Sequence, residues 1–122
     1  MAAAPLYQVK AEFFRLLGHP ARIRVLELLQ HGPRPVRDLL ADLQIEPSTL
    51  SQHLAVLRRS GIVVSYRDGA NVCYELAGTD VADLLAAARR ILTVMLADRD
   101  RLLDQLREAD ETASAEGLAG TA

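Results

Sequence analysis

The chain has 122 residues, half of them hydrophobic, and a formal net charge of −2. Its length fits one domain with a modest core, or with a core that a partner completes. The small net charge argues against a protein that binds nucleic acid without sequence preference. Residues 1–78 carry nine Lys and Arg against seven Asp and Glu, whereas residues 79–122 carry five against nine. The front half is therefore slightly basic and the back half is acidic.

Cysteine usage and hydropathy restrict the cellular context. Cys73 is the single cysteine, which excludes an internal disulfide and any Cys-x-x-Cys metal or redox pair. No stretch of about 18 apolar residues exists, and the first residues lack the features of a signal peptide. We therefore expect a cytoplasmic protein that does not enter a membrane.

Two helices are predicted at the start of the chain. Leu6, Val9 and Phe13 share one face of a helix from about residue 5 to residue 17. Pro20 suits the first turn of a second helix, whose apolar surface is broad enough for a buried position. The histidines that flank this second helix, His19 and His31, are interpreted as capping or surface residues.

The next two predicted helices are joined by a short turn. The first runs from Pro35 to Leu43 and the second from about residue 47 to residue 60, which is the sequence form of a helix-turn-helix. Leu50, Leu54 and Leu57 define the buried stripe of the second helix. Four small polar residues face outward near its start: Ser48, Thr49, Ser51 and Gln52. Recognition helices contact bases with this end, so we predict DNA binding.

Residues 62–76 are predicted to form a β-hairpin directly after the recognition helix. Two β-rich segments flank Asp68-Gly69, a pair that favours a tight hairpin turn. Such a hairpin is a wing, and Arg67 at its tip is expected to reach a phosphate or a minor groove. Arg58, near the end of the recognition helix, is expected to contact the DNA backbone or to cap the helix.

The chain from about residue 80 to residue 108 reads as one long helix. It would be about 40 Å long, which is more than a small domain can cover, so we predict a second subunit. Apolar residues recur at alternating spacings of four and three, a pattern that Arg99 interrupts. They are Leu85, Ala88, Leu92, Met95, Leu102 and Leu106. Residues 1–109 are thus expected to form a dimeric domain and residues 110–122 a disordered tail.

Five stretches of the chain match the pattern of a known family: Leu17–Leu26, Leu50–Leu54 with Leu57, Gly61–Val63, Arg67–Gly69 and Tyr74–Leu76. By these stretches the chain resembles the bacterial ArsR/SmtB repressors. By its Leu-Tyr, Ala-Glu-Phe-Phe and His-Pro-Ala-Arg-Ile-Arg stretches it resembles most the subgroup that contains a mycobacterial hypoxia-associated regulator. The resemblance implies a winged helix-turn-helix fold, mainly α with a β-hairpin wing. It also implies a homodimer, formed by the first and last helices, that represses transcription from an inverted-repeat operator until a signal weakens binding.

The sequence lacks the motifs by which members of this family sense metals. The third helix has no cysteine and the last begins Asp80-Val81-Ala82 without a histidine, so both familiar metal sites of this family are missing. No metal or cofactor is predicted. Family members that sense thiol oxidants use two cysteines, whereas this chain has one. Cys73 is retained as the candidate redox sensor because it is the only residue with redox chemistry available. If Tyr74 packs inward, strand alternation places Cys73 near the surface.

Several alternatives stay open. His53 borders the apolar stripe of the recognition helix, so it either contacts DNA or packs and hydrogen-bonds inside the protein. Arg22 and Arg24 are either ion-pair partners or phosphate contacts. No nucleophile paired with a base, phosphate loop or carboxylate pair is present, so we do not expect an enzyme. The alternative function is a winged-helix module that binds protein, which the negative net charge permits.

Overall fold

The computed structural model describes residues 3–120, and side-chain environments through residue 115. Its helices are α1 (Leu6–Leu17), α2 (Pro20–Leu29), α3 (Val36–Leu43), α4 (Pro47–Arg59) and α5 (Asp80–Gly120). Its strands are β1 (Arg34–Pro35), β2 (Val63–Asp68) and β3 (Asn71–Leu76). The fold is mainly α with a β-hairpin, as the sequence predicts.

The sheet has one strand more than the predicted hairpin. β2 and β3 pair antiparallel with Asp68 opposite Asn71, and Gly69 adopts a φ of 62° in the turn between them. β1 pairs with the other edge of β3, so β3 is the central strand. β1 was not predicted, because two residues are too few to show the alternation of apolar and polar side chains that marks a strand. The sequence placed Pro35 at the start of the third helix instead. Proline is tolerated in β1 because this is an edge strand.

The core is built from apolar side chains of α2, α3, α4 and one face of the sheet. The most deeply buried side chains are Val25, Leu26, Leu39, Leu50, Leu54, Leu57 and Val63. Each fully buried leucine contributes roughly 1.5–3 kcal/mol relative to an exposed one. The two central helices, α2 and α4, are therefore held by burial of their apolar stripes, and the polar face of α4 is left outside.

Local backbone chemistry sets the ends of the two helices of the helix-turn-helix. Gln44 ends α3 in the left-handed conformation with a φ of 53°, which reverses the chain within a short turn. Pro47 begins α4. Proline has no amide hydrogen to donate, and the first amides of a helix have no partner inside the helix, so no hydrogen bond is lost. Gly61, with a φ of 81°, then turns the chain from α4 toward β2. The recognition helix and the wing are joined by this single turn.

The chain divides into two compact units, Met1–Leu84 and Leu85–Ala122, where the sequence predicted one domain over residues 1–109. Within the second unit, every described residue from Arg89 to Ala115 is exposed. α5 continues to Gly120, where the sequence predicted a tail without regular structure from residue 110. Strong helix formers such as Glu111 and Ala113 extend the helix without an apolar pattern. Residues 121–122 lie outside the described residues.

None of the helices that the structure describes combines the length and the apolar character needed to cross a bilayer.

Candidate DNA-binding surface

The exposed face of α4 carries the four polar side chains that the sequence singled out. Ser48, Thr49, Ser51 and Gln52 are all exposed, while Leu50 between them is fully buried. Among the described residues, none of the four side chains makes a hydrogen bond within the protein. Small polar side chains that are free of internal partners are available to base edges and phosphates.

The N-terminus of α4 also leaves backbone donors available. Its N-cap residue, Glu46, makes no side-chain capping bond, and no acidic residue occupies the first turn. The first amides of a helix have no partner inside the helix, and the helix dipole favours negative charge there. The free amides at this end of α4 can therefore donate hydrogen bonds to a phosphate oxygen beside the polar side chains.

His53 does not belong to this exposed set, and of the two interpretations that the sequence left open, its burial supports packing and hydrogen bonding inside the protein over a DNA contact. Its side chain is 8% exposed, and its Nδ1 accepts a hydrogen bond from Nε of Arg22 at 3.1 Å. The ring of His19 lies 4.3 Å from its own, centroid to centroid. Burial lowers the pKa of His53 below the ordinary value of 6.5, and His19 and Arg22 lower it further. His53 is thus a neutral, internally bonded residue behind the reading face.

Exposed arginines lie at the end of α4 and in the hairpin that follows it. Arg58 and Arg59 are exposed in the last turn of α4, and Arg67 is exposed in β2, directly opposite Val72. None of them takes part in an ion pair among the described residues. Their charges are therefore free to meet phosphates. Arg22 is instead committed to internal hydrogen bonds, and Arg24 is exposed on α2.

Cys73 is buried, contrary to the expectation that it lies near the surface. The alternation was right, because Tyr74 packs on the core face, but Cys73 lies in the central strand between two neighbours. Pro35 of β1 and Tyr66 of β2 are its direct partners across the two ladders. The unpredicted strand β1 is the reason for the burial, and it counts against Cys73 as an accessible redox sensor.

Tyr66 is a wing residue that the sequence did not single out. Its side chain is 43% exposed, and loss of solvation on the covered part raises the pKa of its phenol, as do Cys73, Glu75 and Asp68. Like any tyrosine hydroxyl at neutral pH, it is protonated and can donate a hydrogen bond.

The predicted dimer residues of α1 are exposed in the single chain. Leu6, Val9 and Phe13 are 68%, 51% and 38% exposed, and Phe14 beside them is also exposed. A row of large apolar side chains on one short helix is more than scattered surface hydrophobes account for. α1 therefore presents an apolar surface in the single chain.

Considered by itself, α5 shows a similar apolar stripe. Leu85 and Ala88 are half-buried, and four further residues of the predicted stripe are exposed. These four are Leu92, Met95, Leu102 and Leu106. The same part of α5 carries two ion pairs, each between residues one helical turn apart. Asp98 pairs with Arg101, and Asp104 pairs with Arg107. Across the part of the chain that the structure describes, no three His, Cys, Asp or Glu side chains gather into a metal-binding group.

Comparison with known proteins agrees with this geometry. Residues 19–65 match the profile of bacterial regulatory proteins of the arsR family. The uncharacterised HTH-type transcriptional regulator Rv0081 of Mycobacterium tuberculosis is 52% identical over 108 residues, which cover 88% of this chain and 95% of that protein. The HTH-type transcriptional repressor SmtB of the same organism is 34% identical over 77 residues, or 63% of this chain and 57% of the repressor.

Solved structures show the same fold. The crystal structure of Rv0081 superposes with a TM-score of 0.75 at 53% identity, covering 80% of this chain and 98% of that one. A homodimeric winged helix-turn-helix DNA-binding domain from Mycobacterium bovis, Mb0332, gives a TM-score of 0.64 at 28% identity, covering 76% and 91%.

The fold and the exposed recognition helix define a winged helix-turn-helix regulator. The chain belongs to the arsR family of bacterial regulatory proteins. This is a family of transcriptional regulators and not of enzymes.

Proposed function

We propose that the protein is a homodimeric transcriptional repressor that binds an inverted-repeat operator in double-stranded DNA. The observation that carries the proposal is the outer face of α4. Ser48, Thr49, Ser51 and Gln52 are exposed and internally unbonded beside an uncapped helix N-terminus. This end of a recognition helix is the part that enters the major groove and contacts bases. Gln52, with the longest of the four side chains, is assigned to base reading through its amide.

The arginines supply the contacts that do not depend on sequence. Arg58 at the end of α4 and Arg67 in the wing are assigned to phosphates on either side of the groove. Phosphate contacts position a protein on the duplex and make its affinity depend on salt. A chain with little net charge can bind DNA in this way because Arg58 and Arg67 are exposed and form no ion pair among the described residues, so their charges are available to phosphates.

Dimerisation is assigned to the apolar surfaces of α1 and α5. Their large exposed side chains would lose contact with water on pairing, which favours association. The relative Mb0332 is described as homodimeric, which supports the same assembly here. Two recognition helices related by a twofold axis read half-sites about one helical turn apart. An inverted repeat is the DNA symmetry that matches such a dimer.

Repression is the simplest regulatory outcome for such a protein, because an operator occupied within a promoter blocks polymerase access. The relative SmtB is named a repressor, which supports this direction. The protein would act in the cytoplasm, on the chromosome.

A selection from random duplex DNA, followed by footprinting of the upstream region of its own gene, tests the proposal. We expect a duplex with an inverted repeat to be enriched and the same sequence to be protected. A salt titration on this duplex should then give a steep linear fall of log affinity with log salt. No enrichment, or a slope near zero, would overturn DNA binding and favour the protein-binding module.

A further inference from the structure

Arg22 joins three helices at one point behind the recognition helix. Its Nε donates to Nδ1 of His53 in α4 at 3.1 Å, across 31 positions of sequence. Its Nη1 donates to the backbone carbonyl of Leu16 in α1, also at 3.1 Å. Arg22 itself belongs to the first turn of α2. One guanidinium therefore links α4 to the end of α1 and the start of α2.

His19 completes this cluster. Its ring lies 4.3 Å from the ring of His53, tilted by 52°. Its Nδ1 accepts a hydrogen bond from the amide of Ala21 at 3.2 Å and so caps α2. Three groups that carry or can acquire positive charge thus meet at one place. No ion pair among the described residues includes any of them, so no carboxylate offsets that charge.

The groups facing His53 are defined by the elements around it. α2 contributes Arg22 and, through its cap, His19, while α1 contributes only the carbonyl of Leu16 that Arg22 engages. β2 also packs on α4. Its ionisable side chains are Tyr66, Arg67 and Asp68, which are exposed, and none of them changes the pKa of His53.

We propose that Arg22, His53 and His19 are positioning residues for DNA binding, and that they hold α4 correctly only while Nδ1 of His53 is unprotonated. The inference rests on the proposed function, because its readout is operator affinity. His53 directly follows Gln52 in α4, so a change at the buried ring is transmitted to the reading face by one rigid helix.

The hydrogen-bond chemistry gives the direction of the effect. A guanidinium has only donors, so Nδ1 of His53 must offer a lone pair and the ring proton must be on Nε2. Protonation of Nδ1 converts the acceptor into a donor that faces another donor and places a second cation against Arg22. The link between α4 and α2 is then lost. Acidification should therefore weaken operator binding.

A fall in DNA affinity on acidification is opposite to the usual effect of histidine protonation. Protonation of surface histidines adds positive charge and strengthens binding to DNA phosphates. In each protomer, a group with the ordinary histidine pKa of 6.5 whose protonation abolished binding would lower the affinity for one half-site about tenfold between pH 7.5 and 5.5. Because the pKa of His53 is lowered, the expected fall per protomer is smaller than that.

The test is operator affinity by fluorescence anisotropy at constant ionic strength from pH 8 to pH 5.5, with the full chain and the duplex obtained by selection. We expect the wild-type affinity to fall several-fold on acidification. His53→Asn keeps an acceptor but cannot titrate, so its ratio of affinities at the two pH values should approach one. His31→Gln is the matched control, since His31 is exposed and outside the cluster. It should keep the wild-type pH profile.

An NMR titration of the histidine ring resonances in the free wild-type protein provides a second measurement that needs no variant. The His53 ring should titrate over the same pH range in which affinity falls, with a simultaneous change at Nε of Arg22. An affinity that is constant or rises on acidification, or a His53→Asn variant that keeps the full fall, would overturn the positioning role. Failure of the wild-type protein to bind any selected duplex at pH 7.5 would instead overturn the proposed function.

Discussion

Pro35 lies directly opposite Cys73 across the ladder between β1 and β3, and Tyr66 lies opposite the same cysteine on the other side. Side chains of directly opposed residues point to the same face of a sheet. Cys73 is therefore flanked on both sides and is only 7% exposed. A buried thiol meets reagents in solution chiefly when the structure opens locally.

We expect Cys73 in the native protein to react with Ellman's reagent at least about tenfold more slowly than in the unfolded chain. The measurement is the rate of thiolate release with and without guanidinium chloride. Ala70→Cys in a Cys73→Ser background is the matched control, because Ala70 is exposed in the hairpin turn. Its rate should be nearly the same in both conditions. Equal rates for Cys73 would restore it as an accessible redox sensor.

Gln52→Ala should reduce discrimination between the selected operator and duplexes with single base changes. A side-chain amide that pairs with a base edge contributes about 1–3 kcal/mol of discrimination, and alanine removes both donor and acceptor. Competition binding against a set of single-substitution duplexes measures this directly. If Gln52→Ala weakens the operator and a scrambled duplex by the same factor, Gln52 does not read a base.

Arg67→Ala should weaken binding to all duplexes by a similar factor and lower the slope of log affinity against log salt by about 1. The reason is that a phosphate contact releases counterions but carries no sequence information. Arg101→Ala is the control, because Arg101 is exposed but already paired with Asp98. A salt slope that Arg67→Ala leaves unchanged would remove the wing from the phosphate-binding surface.

Leu92→Glu should convert the dimer into a monomer. Leu92 is 52% exposed in the single chain, in the apolar stripe of α5. A carboxylate placed there would be buried without a partner on pairing, at a cost of several kcal/mol. Light scattering after gel filtration measures the mass. Arg90→Glu, two positions away on another side of the helix, should stay dimeric. A dimeric Leu92→Glu variant would exclude this stripe as the interface.

The protein should lose stability on acidification through His53. Its pKa is lower in the folded chain than the ordinary value of 6.5, so the unfolded chain binds the proton first. The contribution of His53 is therefore complete above about pH 6.5 and declines as the pH falls toward the folded value, by at most about 1.4 kcal/mol per pH unit. Urea unfolding at several pH values measures it. His53→Asn should show a shallower decline than His31→Gln.

The features that the sequence predicted correctly depend on local periodicity. Leu50, Leu54 and Leu57 recur on one face of a helix, and all three are buried. The exposed set opposite them follows from the same geometry. The Asp68-Gly69 turn likewise needs no information beyond the two residues and their flanking β-rich segments.

The features that it missed depend on contacts between distant residues or on the absence of contacts. Arg22 and His53 are 31 positions apart, and neither pattern nor spacing connects them. The burial of Cys73 depends on a two-residue strand that shows no period. α5 continues to Gly120 although its apolar pattern ends at Leu106, so the end of the pattern is not the end of the helix.

The four polar residues that face outward from α4 hold no other part of the protein in place. Ser48, Thr49, Ser51 and Gln52 can therefore change in evolution with little effect on folding, because selection for stability acts on the leucines behind them. A duplicated copy could acquire a new operator one substitution at a time, without passing through an unfolded intermediate. The same separation makes these positions suitable for a library in which DNA preference is varied and the scaffold is kept.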